Sequence, residues 1–386
     1  MDIRGRRWHP STMQNAQGTK GYWFGGLDEV VVKPPNISEV IPDSGLFRTY
    51  VARAQRLTDA PSVYHVGALL GTLSAVLVPH TRLLFKSGDR AHHEPLQLWV
   101  LLCGKSKNRK SHSLDLATAA LGPWTDRRLC PDSGTREGFE EFMIRHPDAF
   151  LAIREGPTWL SDNRAVWMRN GSAWWCKIFD GKLEPKLRRR DKESKELERE
   201  NLELRSTLSQ VQAGLPAVSQ VDHNEPTKIV YPVMVTISMA GETTAMIGAS
   251  RPTDWTGGMF SRMLILSANR KPKENREWYD WPVKDLARIR SLVADCETLA
   301  KGCEGVTVSE RAWRVFDDWN DPCQNSTDGL PNGQATVLSR LGRHVKIVAA
   351  LYALSCGTTE VSAEVMRAAV NLGRWSHQTV LGLPIG

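Results

Sequence analysis

With 386 residues the chain has room for two domains or for one large core with appendages. Hydrophobic residues at 41% and charged residues at 24% are ordinary for a globular protein, and a mean hydropathy of −0.35 without a long apolar run excludes a membrane-spanning helix. A formal charge of +7 favours a polyanionic partner. The basic N-terminus lacks the apolar segment of a secretory signal, so a cytoplasmic location is expected.

Seven scattered cysteines form no Cys-x-x-Cys pair and have no histidine at zinc-finger spacing, so free thiols are expected. His92 and His93 are adjacent, not four apart as in a helical metal pair, and read as part of a solvated loop. Fourteen tryptophans are unusual; they serve either as core and interface anchors or, beside Arg or Lys, as stacking platforms for bases.

In chain order, residues 1–40 show no sustained period and read as an arm that docks on the body or on a neighbouring subunit. Residues 41–95 are a helical lead-in, with helical spacing at Phe47–Leu57 and Val63–Leu77, a short strand at Thr81–Phe85 and a polar loop from Gly88 to Pro95.

The core spans 96–270. Six consecutive apolar residues, Leu98–Cys103, read as a strand buried on both faces. Gly104 ends the run, a basic loop follows, and Lys110-Ser111 open a segment with helical spacing. Strand, phosphate-sized loop, Lys-Ser and helix form the grammar of a P-loop. Triphosphates need backbone N–H groups, a helix N-terminus and one mobile cation converging on them. Lys110, expected to face solvent in the empty loop, would reach the β- and γ-phosphates of ATP, and Ser111 would ligate magnesium. Arg109 stands where the G-x-x-x-x-G-K-[ST] pattern has its second glycine.

Beyond the loop helix, Pro123 and Pro131 punctuate a loop, and Asp132-x-x-Thr135-x-Glu137 starts a helix. Phe150–Ile153 reads as a second buried strand ending in Arg154-Glu155, where a P-loop ATPase carries an Asp-Glu pair. Glu155 either polarises the attacking water or simply meets solvent. At about 182–228 the composition turns to a charged, exposed helical insert, either solvated or partner-binding. Its cluster Lys186, Arg188, Arg189 and Arg190 either touches a phosphate backbone or serves solubility. The core resumes at Ile229 with a β-branched run in which Ser238 is expected to face the nucleotide from a strand end. A Gly-Gly loop, Arg262 and a last strand, Met263–Leu266, complete an α/β sheet with crossover connections. From Val283 the pattern is all-helical, with Thr307-x-x-Glu310 as a capping box, giving a C-terminal helical subdomain at 283–386.

With the P-loop, the Ile153-Arg154-Glu155-Gly156 strand end, the Trp255–Leu266 segment and the Ser339–Leu354 helix in this order, the chain resembles the YfjI-like family of primase- and helicase-associated P-loop ATPases of phages, plasmids and other mobile elements. The likeness runs from about Asp59 to Trp375, outside the arm and the insert. It implies a RecA-like core with a mainly parallel sheet and a role in DNA replication. Cofactors would be ATP and magnesium, and partners single- or double-stranded DNA, a primase or other replication proteins, and further copies of the chain in a ring. The phosphate loop maps onto Gly104 to Ser111, which includes Ser106 and Asn108. Arg262 maps onto a recurrent arginine that acts as a γ-phosphate sensor or an arginine finger, and Arg343 onto a helical arginine. The leading expectation is a DNA-associated ATPase of replicative-helicase type. Its rivals are a nucleotide-holding, nucleic-acid-binding scaffold and a small-molecule kinase.

Overall fold

The computed structural model describes residues 35–87, 90–162, 171–183, 231–268 and 280–385, together with two short paired strands, Thr12–Gln14 and Lys20–Tyr22. Most of the N-terminal arm and, from residue 184, the charged insert with Lys186, Arg188, Arg189 and Arg190 lie outside the described residues.

The continuous apolar run forms strand β1, Trp99–Gly104, buried along its whole length. It lies inside a five-stranded parallel sheet with β2 (Leu129–Cys130), β3 (Phe150–Ile153), β4 (Thr236–Glu242) and β5 (Met263–Ser267). Their spatial order is β5-β1-β4-β3-β2. Register is set by the pairs Ser238↔Val100 and Glu242↔Gly104 on one side of β4, Met239↔Ile153 on the other, and Met263↔Trp99 across β5 and β1. A fully parallel sheet has to be covered on both faces, which is why β1 carries no polar alternation. The mixed α/β class expected from the sequence is therefore present, with all five strands parallel.

Helix α1 (Gly45–Leu57) precedes α2 (Ser62–Leu77), which is buried at every position from Val63 to Leu77. Small residues let α2 lie close on the sheet: a Cβ at Gly67 would clash with Leu102 and Leu266, and one at Gly71 with the Ser238 hydroxyl. Helix α3 (Lys110–Thr125) follows β1 and packs beside α2. On the opposite face Trp99 meets the helix Gly171–Phe179 edge-on, with ring centroids 6.5 Å from Trp175 and 5.0 Å from Phe179. These tryptophans are core anchors rather than base-stacking platforms.

Several local expectations change. Helix α3 runs through Pro123 to Thr125. Proline clashes with the carbonyl four residues back and withholds its own N–H, and Arg290 donates to the freed Ala119 carbonyl at 3.2 Å and to Ala120 at 3.3 Å. Gly88–Pro95 is not simply a loop, because Arg90–Pro95 pairs antiparallel with Arg82–Ser87 and His92 stacks on Phe85 at 5.1 Å. The helix Glu310–Asn325 is capped by Ser309, whose side chain accepts from the Ala312 N–H, while Thr307 joins a short parallel pair with Glu360–Val361. Those two strands interrupt the expected all-helical C-terminal region.

The lead-in and C-terminal helices share one hydrophobic core with the sheet. Phe47 packs edge-on against Tyr352 at 4.7 Å, and the Tyr352 hydroxyl donates to the Val40 carbonyl at 2.7 Å. Among the described residues every cysteine is a free thiol, no cluster of three metal-ligating side chains occurs, and no helix is long and apolar enough to cross a membrane.

Candidate functional site

The chain leaves β1 and β4 toward opposite faces of the sheet. Helix α3 follows β1 onto the α2 face, whereas the helix Thr243–Ala249 that follows β4 sets Met246 against the positions of Gly241 and Gly156 on the other. Diverging connections open a crevice at the carboxyl ends of adjacent strands, the place where open α/β sheets bind ligands. Residues Gly104–Ser111 line it.

The loop is anchored from below. Tyr64 on α2 places its hydroxyl 2.8 Å from the Cys103 carbonyl and 2.9 Å from the Ala268 carbonyl, and accepts the Ala268 N–H at 3.1 Å. Gly104 has φ +153°, and a Cβ there would run into that hydroxyl. Lys107 and Arg109 both take left-handed conformations, with φ of 66° and 56°, a region that costs an ordinary residue about 1 kcal/mol or more. Arg109 thus adopts a backbone shape that a glycine would supply freely. Its guanidinium is held by the Asp59 carboxylate at 2.5 Å, both side chains being largely buried.

Lys110 differs from expectation. Its ammonium is folded inward, with the residue 6% exposed, and donates to the Gly104 carbonyl at 3.0 Å and the Lys105 carbonyl at 2.7 Å. The two carbonyls take up two of the three N–H donors that the ammonium has to place. Burial pushes its pKa below the ordinary lysine value, and the charges of Cys103, Glu242 and Glu155 act in the opposite direction.

Ser111 opens α3 and donates to the Arg154 carbonyl at 3.0 Å, joining the loop helix to the end of β3. The Arg154 side chain turns outward to Asp115 at 2.6 Å. Glu155 is exposed. Ser106 is exposed on the loop, whereas Asn108 is 1% exposed and donates to the Ala268 carbonyl at 2.9 Å. Its side chain therefore ties the loop to β5.

Three residues lie away from this group. Ser238 sits mid-strand opposite Val100, 1% exposed beneath α2, four residues before β4 ends. Arg262 precedes β5, so it lies at the amino end of the sheet, separated from Ala268 by roughly 20 Å of extended chain. There it donates to both Asp180 oxygens at 3.0 and 2.8 Å and to the Gly258 carbonyl at 2.8 Å. This placement rules out contact with a phosphate in the same chain's loop. Arg343 joins the same end, paired with Glu94 and lying 4.6 Å over the Phe179 ring.

Glu242, Asp59 and Tyr64 were not singled out from the sequence as site residues. Glu242 closes β4 beside Gly104 and accepts the Ala245 N–H at 2.5 Å. Its signal was an acidic residue directly after the small pair Ala240-Gly241. Asp59 and Tyr64 precede the loop by forty residues or more, and nothing in local spacing points to them.

Comparison with protein-family models and with curated proteins gave no match. Fold and site define a mixed α/β protein with a five-stranded parallel sheet and a basic loop at its topological switch point.

Proposed function

We propose that the chain is a P-loop ATPase that binds ATP in the crevice at Gly104–Ser111 and works on DNA as a homo-oligomer. One observation carries the nucleotide reading: Lys110 is folded into a loop with two left-handed residues, at the start of a helix and at the sheet's switch point. The donor set fits a triphosphate with its cation. Lys110 can exchange two carbonyl acceptors for charge-assisted bonds to phosphate oxygens. Ser111 gives its proton to the Arg154 carbonyl, which turns its lone pairs outward as a cation ligand needs. Bound magnesium would neutralise charge on the phosphates. Glu155, exposed at the end of β3, can accept a hydrogen bond from water and orient it for attack.

Charge and the family resemblance support the DNA part. Because Arg262 lies at the far end of the sheet and is paired with Asp180, any contact between it and a phosphate has to come from another copy of the chain in a head-to-tail ring and to displace that carboxylate. The rival reading, a scaffold that holds nucleotide without turning it over, is favoured by Arg154, which offers no carboxylate where a shell ligand is expected.

Steady-state phosphate release with and without single-stranded DNA separates the two. A slow ATPase stimulated by DNA supports the first reading, and a rate indistinguishable from that of Glu155→Gln leaves the scaffold. Neutralising Arg188, Arg189 and Arg190 together should flatten the salt dependence of DNA binding by roughly two to three units of slope if they touch phosphates.

A further inference from the structure

We infer that Glu242 is the carboxylate that holds the divalent cation of a nucleotide–metal complex in this crevice, in place of the acidic residue absent at position 154. The inference rests on the nucleotide-binding reading above.

Hard divalent cations such as magnesium are held by one or two carboxylates together with substrate phosphates, rather than by an all-protein cage. A cage is not available here, since no three metal-ligating side chains cluster among the described residues. One or two carboxylates near the phosphate loop are then required. At β3 the Arg154 side chain is committed to Asp115, and its carbonyl to Ser111.

Strand β4 lies between β1 and β3, and Glu242 is its last residue, level with Gly104. The Ser111–Arg154 hydrogen bond joins the start of α3 to the end of β3, the strand on the other side of β4. Glu242, three residues past the Met239↔Ile153 pair and level with Gly104, ends the strand that lies between them. Its charge, like that of Glu155, acts on Lys110. The Ala245 N–H engages Oε2 and fixes the side chain, leaving Oε1 for a cation. A carboxylate positioned by a backbone donor loses little freedom on binding metal.

The test is the magnesium dependence of binding of a fluorescent ATP analogue, which needs no turnover. Glu242→Gln keeps an oxygen for the Ala245 N–H and removes the charge. It should raise the half-saturating magnesium concentration about tenfold or more, while binding in EDTA is unchanged or tighter because a negative charge near the phosphates is gone. Glu155→Gln should move that midpoint less. An unchanged midpoint in Glu242→Gln overturns the inference and leaves Glu242 as a helix cap only. Should Glu242→Gln not fold, Glu242→Asp decides. Aspartate caps helices at least as well, so a capping role alone predicts no shift, whereas a shortened ligand raises the midpoint. If the wild-type protein binds no analogue at any magnesium concentration, the nucleotide reading fails together with this inference; binding with an unmoved Glu242→Gln midpoint sinks the inference alone.

Discussion

The two ends of the parallel sheet handle positive charge in opposite ways. At the carboxyl end, Lys110 donates, among the described residues, to two neutral carbonyls, and the charges of Glu155 and Glu242 act on it. At the amino end, Arg262 and Arg343 are paired directly with Asp180 and Glu94 and packed over Phe179, at 5.5 and 4.6 Å from its ring. Arg340 and Arg343 also have pKa values pushed down, first by burial; for Arg340 the neighbouring Arg262 adds to it, while for Arg343 Glu94 acts against it. Carbonyl partners are given up easily to an incoming anion, whereas a buried, carboxylate-paired guanidinium is not. One end is arranged for exchange and the other for permanence.

The largest effect should come from Lys110→Ala, which is expected to abolish ATP binding in a fluorescence titration. Because the ammonium satisfies two loop carbonyls, the variant should also lose about 1–2 kcal/mol of stability in urea unfolding, so the fold is not wholly indifferent to it. Retained affinity would remove the loop from the functional account. Next is Glu155→Gln, expected to keep ATP bound while cutting phosphate release about a hundredfold or more. Arg154→Asp should be at least as active as wild type. Arg262→Ala sharpens the contrast between the ends: nucleotide affinity of the isolated subunit should be unaffected, but hydrolysis should fall if Arg262 acts on a neighbour's phosphates. An affinity change in the isolated subunit would contradict the distance between the two ends.

A smaller effect is expected from acid. His65 behind the loop and His344 beside Arg343 are buried, and burial pushes both down to a pKa of about 3. Each is neutral when folded, while the unfolded chain takes up a proton near the ordinary histidine value of about 6.5. Stability is therefore full above that value and declines as pH falls from there toward 3. Thermal melts between pH 7 and 4 should show the decline, and His344→Gln should lessen it. Arg109→Gly relieves about 1 kcal/mol of left-handed strain but takes away the guanidinium that neutralises the largely buried Asp59 carboxylate. Its melting temperature should fall.

The sheet was legible where burial leaves no ambiguity. Leu98–Cys103 and Met263–Leu266 read as strands because a strand covered on both faces has to be apolar throughout. Strand ends were harder: β4 continues through Ala240 and Gly241, which look like a turn locally, so Ser238 was expected near the edge and lies in the middle. The loop's length and its Lys-Ser were readable, because they are contiguous. Its supports were not, since Asp59, Tyr64 and Glu242 reach it only through tertiary packing. Arg262 shows the same limit, because its distance from the loop follows from parallel strand direction rather than from any property of its own neighbourhood.

A glycine at position 109 would leave the loop free to sample many backbone shapes, one of which suits a ligand. Arg109, clamped from α2's approach by Asp59, has already surrendered that freedom before anything binds. The conformational entropy of ordering the loop, about 1–2 kcal/mol per residue, is charged to folding rather than to association. Ligand capture by this crevice should then carry a small entropic penalty, and the empty loop should resist proteolysis nearly as well as the filled one.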